Sequence, residues 1–274
     1  MRHSLWPCLL LIALAAAPAR PAALSPPGVN LRWDHCFSDG GVANKTFACD
    51  ENELSDLLVC SFELAQTVTN VTNLNLYIDL AAASPTLPDW WELGLNGGSL
   101  GCRAQSLNGL TAYPLGSPCI NWAGPGGGSG GVAAYNVGSH GPATARIVAG
   151  VAVPSQSART LVPGKEYFAF GFWIDHGNTV GAAACGGCDV PVCIFLSRLG
   201  IFQPGGGSIY LEQGANLVAS QYVTWQNGAP INIQQQCDAP SQTCSTHYTS
   251  FDCILGTSTR SRSSTWGQVK TLYR

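Results

Sequence analysis

The chain has 274 residues, with 13 Lys and Arg against 16 Asp and Glu and a formal net charge of −3. That slightly acidic balance excludes the basic footprint of a nucleic-acid-binding protein. Only 11% of residues are charged while Gly reaches 32 and Pro 17, which excludes a largely helical architecture, rich in Lys, Glu and Arg on its exposed faces, and favours strands joined by tight turns.

The first segment, MRHSLWPCLLLIALAAAPARPAALSPP, sets two basic residues ahead of an apolar run from Leu5 to Ala17, with Ala17-Pro18-Ala19 closing it. This is the layout of a secretory signal peptide cleaved after Ala19. A run of about 13 residues is shorter than the roughly 20 that a bilayer span needs. The expected organisation is therefore a signal peptide over 1–19, a Pro/Ala-rich leader over 20–27 and a single domain over 28–274. The product is secreted or periplasmic, and no membrane span remains after cleavage. Cys8 leaves with the signal peptide.

Along the mature chain, β-branched and aromatic residues alternate with period two in VNLRWD (29–34), LLVCSFEL (57–64), TNLNLYIDLAAA (72–83), ARIVAGVAV (145–153), KEYFAFGFWIDH (165–176), PVCIFLSRLGIF (191–202), NLVASQYVTW (216–225) and GQVKTLYR (267–274). In NLNLYIDL, Leu74, Leu76, Ile78 and Leu80 alternate with Asn73, Asn75, Tyr77 and Asp79, the pattern of a half-buried strand. In KEYFAFGFWIDH, Phe168, Phe170, Phe172 and Ile174 fall on one face and Tyr167, Ala169, Gly171 and Trp173 on the other. Both faces are largely apolar, so this strand is expected to be central and covered on each side. Between the strands, the acids of CDENELSDLL lack the spaced ligands of a calcium loop and read as a solvated turn. LPDWWELG offers a short helix beginning at Pro88 and Asp89 and ending at Gly94, and the glycines of AGPGGGSGG (123–131) suit a linker or equally well a long flexible loop. The fold class is all-β: an antiparallel β-sandwich or jelly-roll with disulfide-tied loops and at most one or two short helices.

Eleven cysteines survive removal of the signal peptide, and in an exported chain they read first as disulfides. The candidates are Cys36, Cys49, Cys102, Cys119, Cys185, Cys188, Cys193, Cys237, Cys244 and Cys253. Loops that leave a strand and return near it suggest Cys36 with Cys49, Cys102 with Cys119, and Cys244 with Cys253. For CGGCDVPVC (185–193) the suggested bridges are Cys188 with Cys193 and Cys185 with Cys237. Cys60 alternates with Leu58 and Phe62 on one strand face and is expected to be a free buried thiol. The runner-up for Cys185, Cys188, Cys193 and Cys237 is a structural zinc site, weakened because Cys237 stands alone rather than in a second close-spaced pair. A thioredoxin-type redox site needs a helix after its C-x-x-C, and Pro191 with the β-branched run beyond it predicts a strand instead.

No catalytic motif stands out, and no cofactor is called for. GGGSGG contains G-x-S-x-G at Gly127–Gly131 and G-x-G-x-x-G from Gly126, but neither is followed by the helix that those motifs require. The dipeptides Asp34-His35 and Asp175-His176 resemble parts of a triad, yet neighbours on a strand point to opposite faces, so any pairing has to cross strands. Asp89, Trp90, Trp91 and Glu92 form the best carboxylate-plus-aromatic cluster. It suits either a carbohydrate surface, with two carboxyls spaced for glycoside hydrolysis, or indoles plugging the end of a sandwich, which is the favoured reading.

Taken together, GVNLRWDHCFSDGGVANKTFACD, CGGCDVPVC and STWGQVKTLYR resemble a group of secreted, uncharacterised bacterial proteins from about Gly28 to Arg274. The group has no known activity; the resemblance implies a single exported unit, with Cys60 and the Cys244–Cys253 loop additional to the shared pattern. The reading is a non-catalytic extracellular binding or surface-layer protein, whose partner is a carbohydrate or cell-envelope component and not a nucleic acid. The runners-up are a polysaccharide-acting hydrolase and a zinc-binding structural protein.

Overall fold

The computed structural model describes residues 27–96, 99–113, 119–212, 220–238 and 243–256, by backbone alone at 95–96, 212, 232–238 and 243–251. The expected signal peptide over 1–19, nearly all of the expected leader over 20–27 and the expected GQVKTLYR strand lie outside the described residues, as do residues 216–219 of NLVASQYVTW.

Eighteen strands run through the described residues: β1 (Gly28–Trp33), β2 (Asn44–Lys45), β3 (Ser55–Glu63), β4 (Val68–Val71), β5 (Asn73–Ala82), β6 (Leu95–Asn96), β7 (Ser99–Leu100), β8 (Leu107–Leu110), β9 (Ile120–Asn121), β10 (Ser129–Val137), β11 (Thr144–Ala152), β12 (Arg159–Leu161), β13 (Glu166–Asp175), β14 (Val192–Phe202), β15 (Ser208–Glu212), β16 (Tyr222–Trp225), β17 (Gly228–Asp238) and β18 (Thr243–Leu255). The helical elements among them are three 3-10 turns of three residues each, Phe37–Asp39, Asp89–Trp91 and Ser155–Ser157. The expected helix in LPDWWELG is thus a single turn after Pro88 that stops before Glu92.

Two sheets form the sandwich. The smaller runs β1-β3-β13-β8, with β9 also on β13; the larger runs β2-β16-β14-β5-β11-β10-β6-β7, with β15 also on β14. Every long ladder is antiparallel. From the larger sheet, Leu74, Leu76, Ile78 and Leu80 of β5 face inward as their alternation predicts, beside Ile147, Ala149 and Val151 of β11 and Ile194, Leu196 and Leu199 of β14. They meet Leu31, Leu58, Phe62, Phe170 and Phe172 of the smaller sheet in one core. Fully burying each such side chain contributes about 1.5–3 kcal/mol.

Two β-bulges alter the faces that strict alternation predicts. In β13, Phe168 pairs with Ser61 and Phe170 with Cys60, leaving Ala169 as the extra residue. Phe168 therefore turns to the outer face, where it packs with Leu57, Val59 and Tyr113, while Phe170, Phe172 and Ile174 stay inside. In β14, Leu196 pairs with Ile78 and Arg198 with Tyr77, so Ser197 is extra. The glycine stretch is not wholly a loop: β10 begins at Ser129 and includes Gly130 and Gly131. A Cβ on Gly130 would lie 2.0 Å from the Gly150 carbonyl, so glycine lets β10 and β11 approach at that point.

The outer face of the larger sheet carries β17 and β18, which pair with each other and with neither main sheet. Cys253 on β18 is buried there with Ala81, Cys193 and Phe195.

Candidate functional site

The cysteines pair across the fold rather than around local loops. The bonds are Cys36–Cys119, Cys49–Cys188, Cys102–Cys185 and Cys193–Cys253, spanning 83, 139, 83 and 60 residues. This corrects the pairings Cys36 with Cys49, Cys102 with Cys119, Cys188 with Cys193, Cys185 with Cys237 and Cys244 with Cys253. The physical reason is topological: strand neighbours here are distant in sequence, so the segments that the fold brings together belong to different hairpins. The trio of CGGCDVPVC fans out to three partners. Gly187 turns the chain with φ +90, and a Cβ there would meet Pro88 at 2.4 Å. With Cys185, Cys188 and Cys193 each in a disulfide, the zinc reading loses three of its four thiolates. The side chains of Cys237 and Cys244 lie outside the described residues. Cys60 is free and buried, as its alternation predicts, and burial pushes its thiol pKa up. Sulfurs of Cys36 and Cys119 also approach Glu166, but they are bonded to each other, and the carboxylate accepts from the Phe37 and Ser38 amides and the Ser38 and Ser61 hydroxyls.

Trp90 and Trp91 are fully buried. Trp90 stacks on Trp225 at 5.2 Å, with Trp91 edge-on to both. Asp89 is exposed and Glu92 partly buried. The two indoles thus plug one end of the sandwich, and the four residues form no open aromatic platform. Arg103 caps this plug at 3.6 Å from the Trp90 ring, donating to the carbonyls of Trp90, Asp175 and Gly177. Burial brings its guanidinium pKa down to about 9, against the opposing pull of Asp175.

The Asp–His dipeptides do find partners across strands. His176 lies between Asp56 of β3, 2.9 Å from Nε2, and Glu51, 3.1 Å from Nδ1, with its ring stacked on Phe47. Lys45 bridges Asp56 at 3.0 Å and Asp34 at 2.8 Å, giving an alternating row Asp34, Lys45, Asp56, His176, Glu51. Burial alone would lower the His176 pKa, but the two carboxylates override it and the net shift is upward. Asp56 shifts downward despite burial because His176 and Lys45 favour its charge. Both ring nitrogens of His176 are occupied and its side chain is 3% exposed, so it has no free position for a general base. His35 contacts the Tyr113 hydroxyl at 3.0 Å. His247 lies among residues described by backbone alone.

A second network, on the outer face of the larger sheet, surrounds Asp79. Arg146 donates Nε and Nη2 to its two oxygens at 2.7 and 2.8 Å, and Ser197, aimed by the β14 bulge, donates to Oδ2. His140 Nε2 sits 3.2 Å from Oδ1. Burial would raise the Asp79 pKa, yet His140, Arg146 and Ser197 hold it below the usual carboxylate range. Ser197 and His140 both contact the carboxylate, whereas a hydrolytic triad needs histidine between serine and acid. Both networks are saturated, so they brace the fold.

An open feature among the described residues is a cleft of about 520 Å³ between the edges of the two sheets. One wall is residues 132–137 of β10; the other is Leu93, Gly94, Ala104 and Leu107. Gly94 lies so close to Tyr135 that a Cβ would come within 2.5 Å, and the Tyr135 hydroxyl donates to the Trp91 carbonyl. The 102–104 wall is held by Cys102–Cys185 and by Arg103. β10 has β11 along one edge; on its other edge, among the described residues, a ladder partner appears only at Asn136, opposite Leu95. Ala133 is the extra residue of a bulge beside the cleft. Sequence reading misses this site because Leu93, Leu107 and Val132 are ordinary apolar residues in separate segments; the bulge and the open edge leave no compositional signal.

Compared with known protein families, curated proteins and solved structures, the chain finds no match in any of the three. Four disulfides fit a stabilised β protein of an oxidising compartment. No helix of the described residues is long and apolar enough to cross a membrane.

Proposed function

We propose that the protein is an exported, non-catalytic binding component of an external layer, and that it takes an extended peptide segment with small apolar side chains in the β8/β10 cleft. The observation that carries this reading is the pairing of a cleft, walled by small apolar side chains together with polar backbone, with an open strand edge. The exposed edge of β10 offers main-chain donors and acceptors to an added strand, and the cleft beside it accepts alternate side chains, the two requirements of strand addition. A volume of about 520 Å³ falls within the range of pre-formed ligand sites. The saturated His176 and Asp79 networks favour binding over hydrolysis, and the burial of Trp90 and Trp91 favours a peptide over a sugar.

The test is fluorescence polarisation with labelled hexapeptides of alternating Val and Thr, alongside the same peptides with proline at alternate positions and a panel of labelled oligosaccharides. The expected result is saturable binding of the Val/Thr peptides, at least tenfold weaker for the proline forms and for Leu107→Arg. Equal affinity for the proline forms, unchanged affinity in the variant, or binding of oligosaccharides alone would overturn the reading.

A further inference from the structure

We propose that Cys237 and Cys244 form a fifth disulfide that closes the free end of the β17–β18 hairpin. The register sets Cys237 directly opposite Cys244, one pair in from Asp238 and Thr243, the last described pair of the hairpin. Directly opposed residues of an antiparallel pair have Cα atoms about 4.5 or 5.5 Å apart. Both spacings lie inside the roughly 4.4–6.8 Å that a disulfide spans.

Elimination points the same way. Eight of the cysteines between residues 27 and 256 are already paired. Cys60, on β3 between Leu31 and Phe170, is fully buried in the core and out of reach of the hairpin. In an oxidising compartment each of the two remaining cysteines therefore has the other as its partner.

The hairpin also needs such a bond. Its register shifts three times between Ile231 and Gln236, and the segment Gln234-Gln235-Gln236 makes a one-residue slip exchange glutamine for glutamine. Strand pairing alone specifies such a register weakly. A covalent link at Cys237 and Cys244 fixes it.

Formation proceeds by thiol–disulfide exchange with a disulfide oxidant such as oxidised glutathione. The Cys244 thiolate attacks the oxidant, forming a mixed disulfide and releasing one thiolate. The Cys237 thiolate then attacks the Cys244 sulfur, releasing the second. Two protons leave the cysteines, and their two electrons reduce one oxidant disulfide to two thiols.

The experiment refolds the full chain in a glutathione redox buffer, alkylates it with iodoacetamide in denaturant without reductant, and maps it by mass after cleavage before aspartate and after arginine, which places Cys193, Cys237, Cys244 and Cys253 on four separate peptides. Within residues 27–274 only Cys60 is expected to carry label, and the Cys237 and Cys244 peptides are expected as a linked pair that separates on reduction. In Cys237→Ser, label on Cys244 rises at least tenfold while the other four bonds persist. Label on both cysteines of wild-type protein whose other four bonds are intact, either one found joined to Cys60, or an unlabelled Cys244 in Cys237→Ser, would overturn the proposal.

Discussion

Removing Cys49–Cys188 by the double substitution Cys49→Ala and Cys188→Ala tests how the disulfides act together. Taken alone, a bond across 139 residues restricts the unfolded chain by about 5 kcal/mol in the loop-entropy account. In the intact protein the unfolded chain is already shortened. From Cys49 the covalent path runs back 13 residues to Cys36, crosses to Cys119, runs 17 to Cys102, crosses to Cys185 and runs 3 to Cys188, about 33 in all. A loop of that length corresponds to about 3.7 kcal/mol. The expected loss is therefore about 4 kcal/mol in the wild-type background and about 5 when Cys36–Cys119 and Cys102–Cys185 are also replaced. Equilibrium urea unfolding of each pair of proteins measures both losses, and the m value should rise in each double substitution as the unfolded state expands. A loss under about 1 kcal/mol, or the same loss in both backgrounds, would refute the reasoning.

Three further outcomes are expected. The His176 pKa is raised in the folded protein, so its stabilising contribution is complete below the unfolded value near 6.5 and disappears as pH rises through the folded value. The urea midpoint should fall on the alkaline side of pH 6.5 in the wild type and stay flatter in His176→Asn. Asp79→Asn leaves Arg146 facing a neutral amide in a buried site, which should cost about 3–5 kcal/mol and lower Tm by about 6–20 °C; calorimetry measures it. Gly130→Ala forces β10 away from β11 and should cost about 1–3 kcal/mol. The control Gly131→Ala meets nothing within 4 Å and should stay within about 0.5 kcal/mol of wild type by the same denaturant titration.

Period-two alternation makes β5 readable from the residues, because one face meets the core and the other does not. It fails in β13 at Phe168, since a single bulge residue reverses every face before it, and bulges are set by pairing between strands. The buried, unpaired state of Cys60 is legible for the reason that β5 is. The connectivity of the other cysteines is not, because β13 takes its neighbours from β3, β8 and β9, far away along the chain. The same distance hides the Asp56 partner of His176. Charge alone marked the 50–56 segment as a solvated turn, whereas Asp56 is buried by its ion pairs. The cleft is the least legible feature, since open strand edges are defined by what does not pair with them.

The β17–β18 arm shares no ladder with either main sheet; it packs on β14 and β5 and is fastened by Cys193–Cys253. Among the described residues no ladder ties the arm to the sandwich, so a change in its outer half is expected to leave the pairing of the two main sheets intact. The same independence makes the segment between Asp238 and Thr243 a suitable insertion point for a tag or foreign epitope.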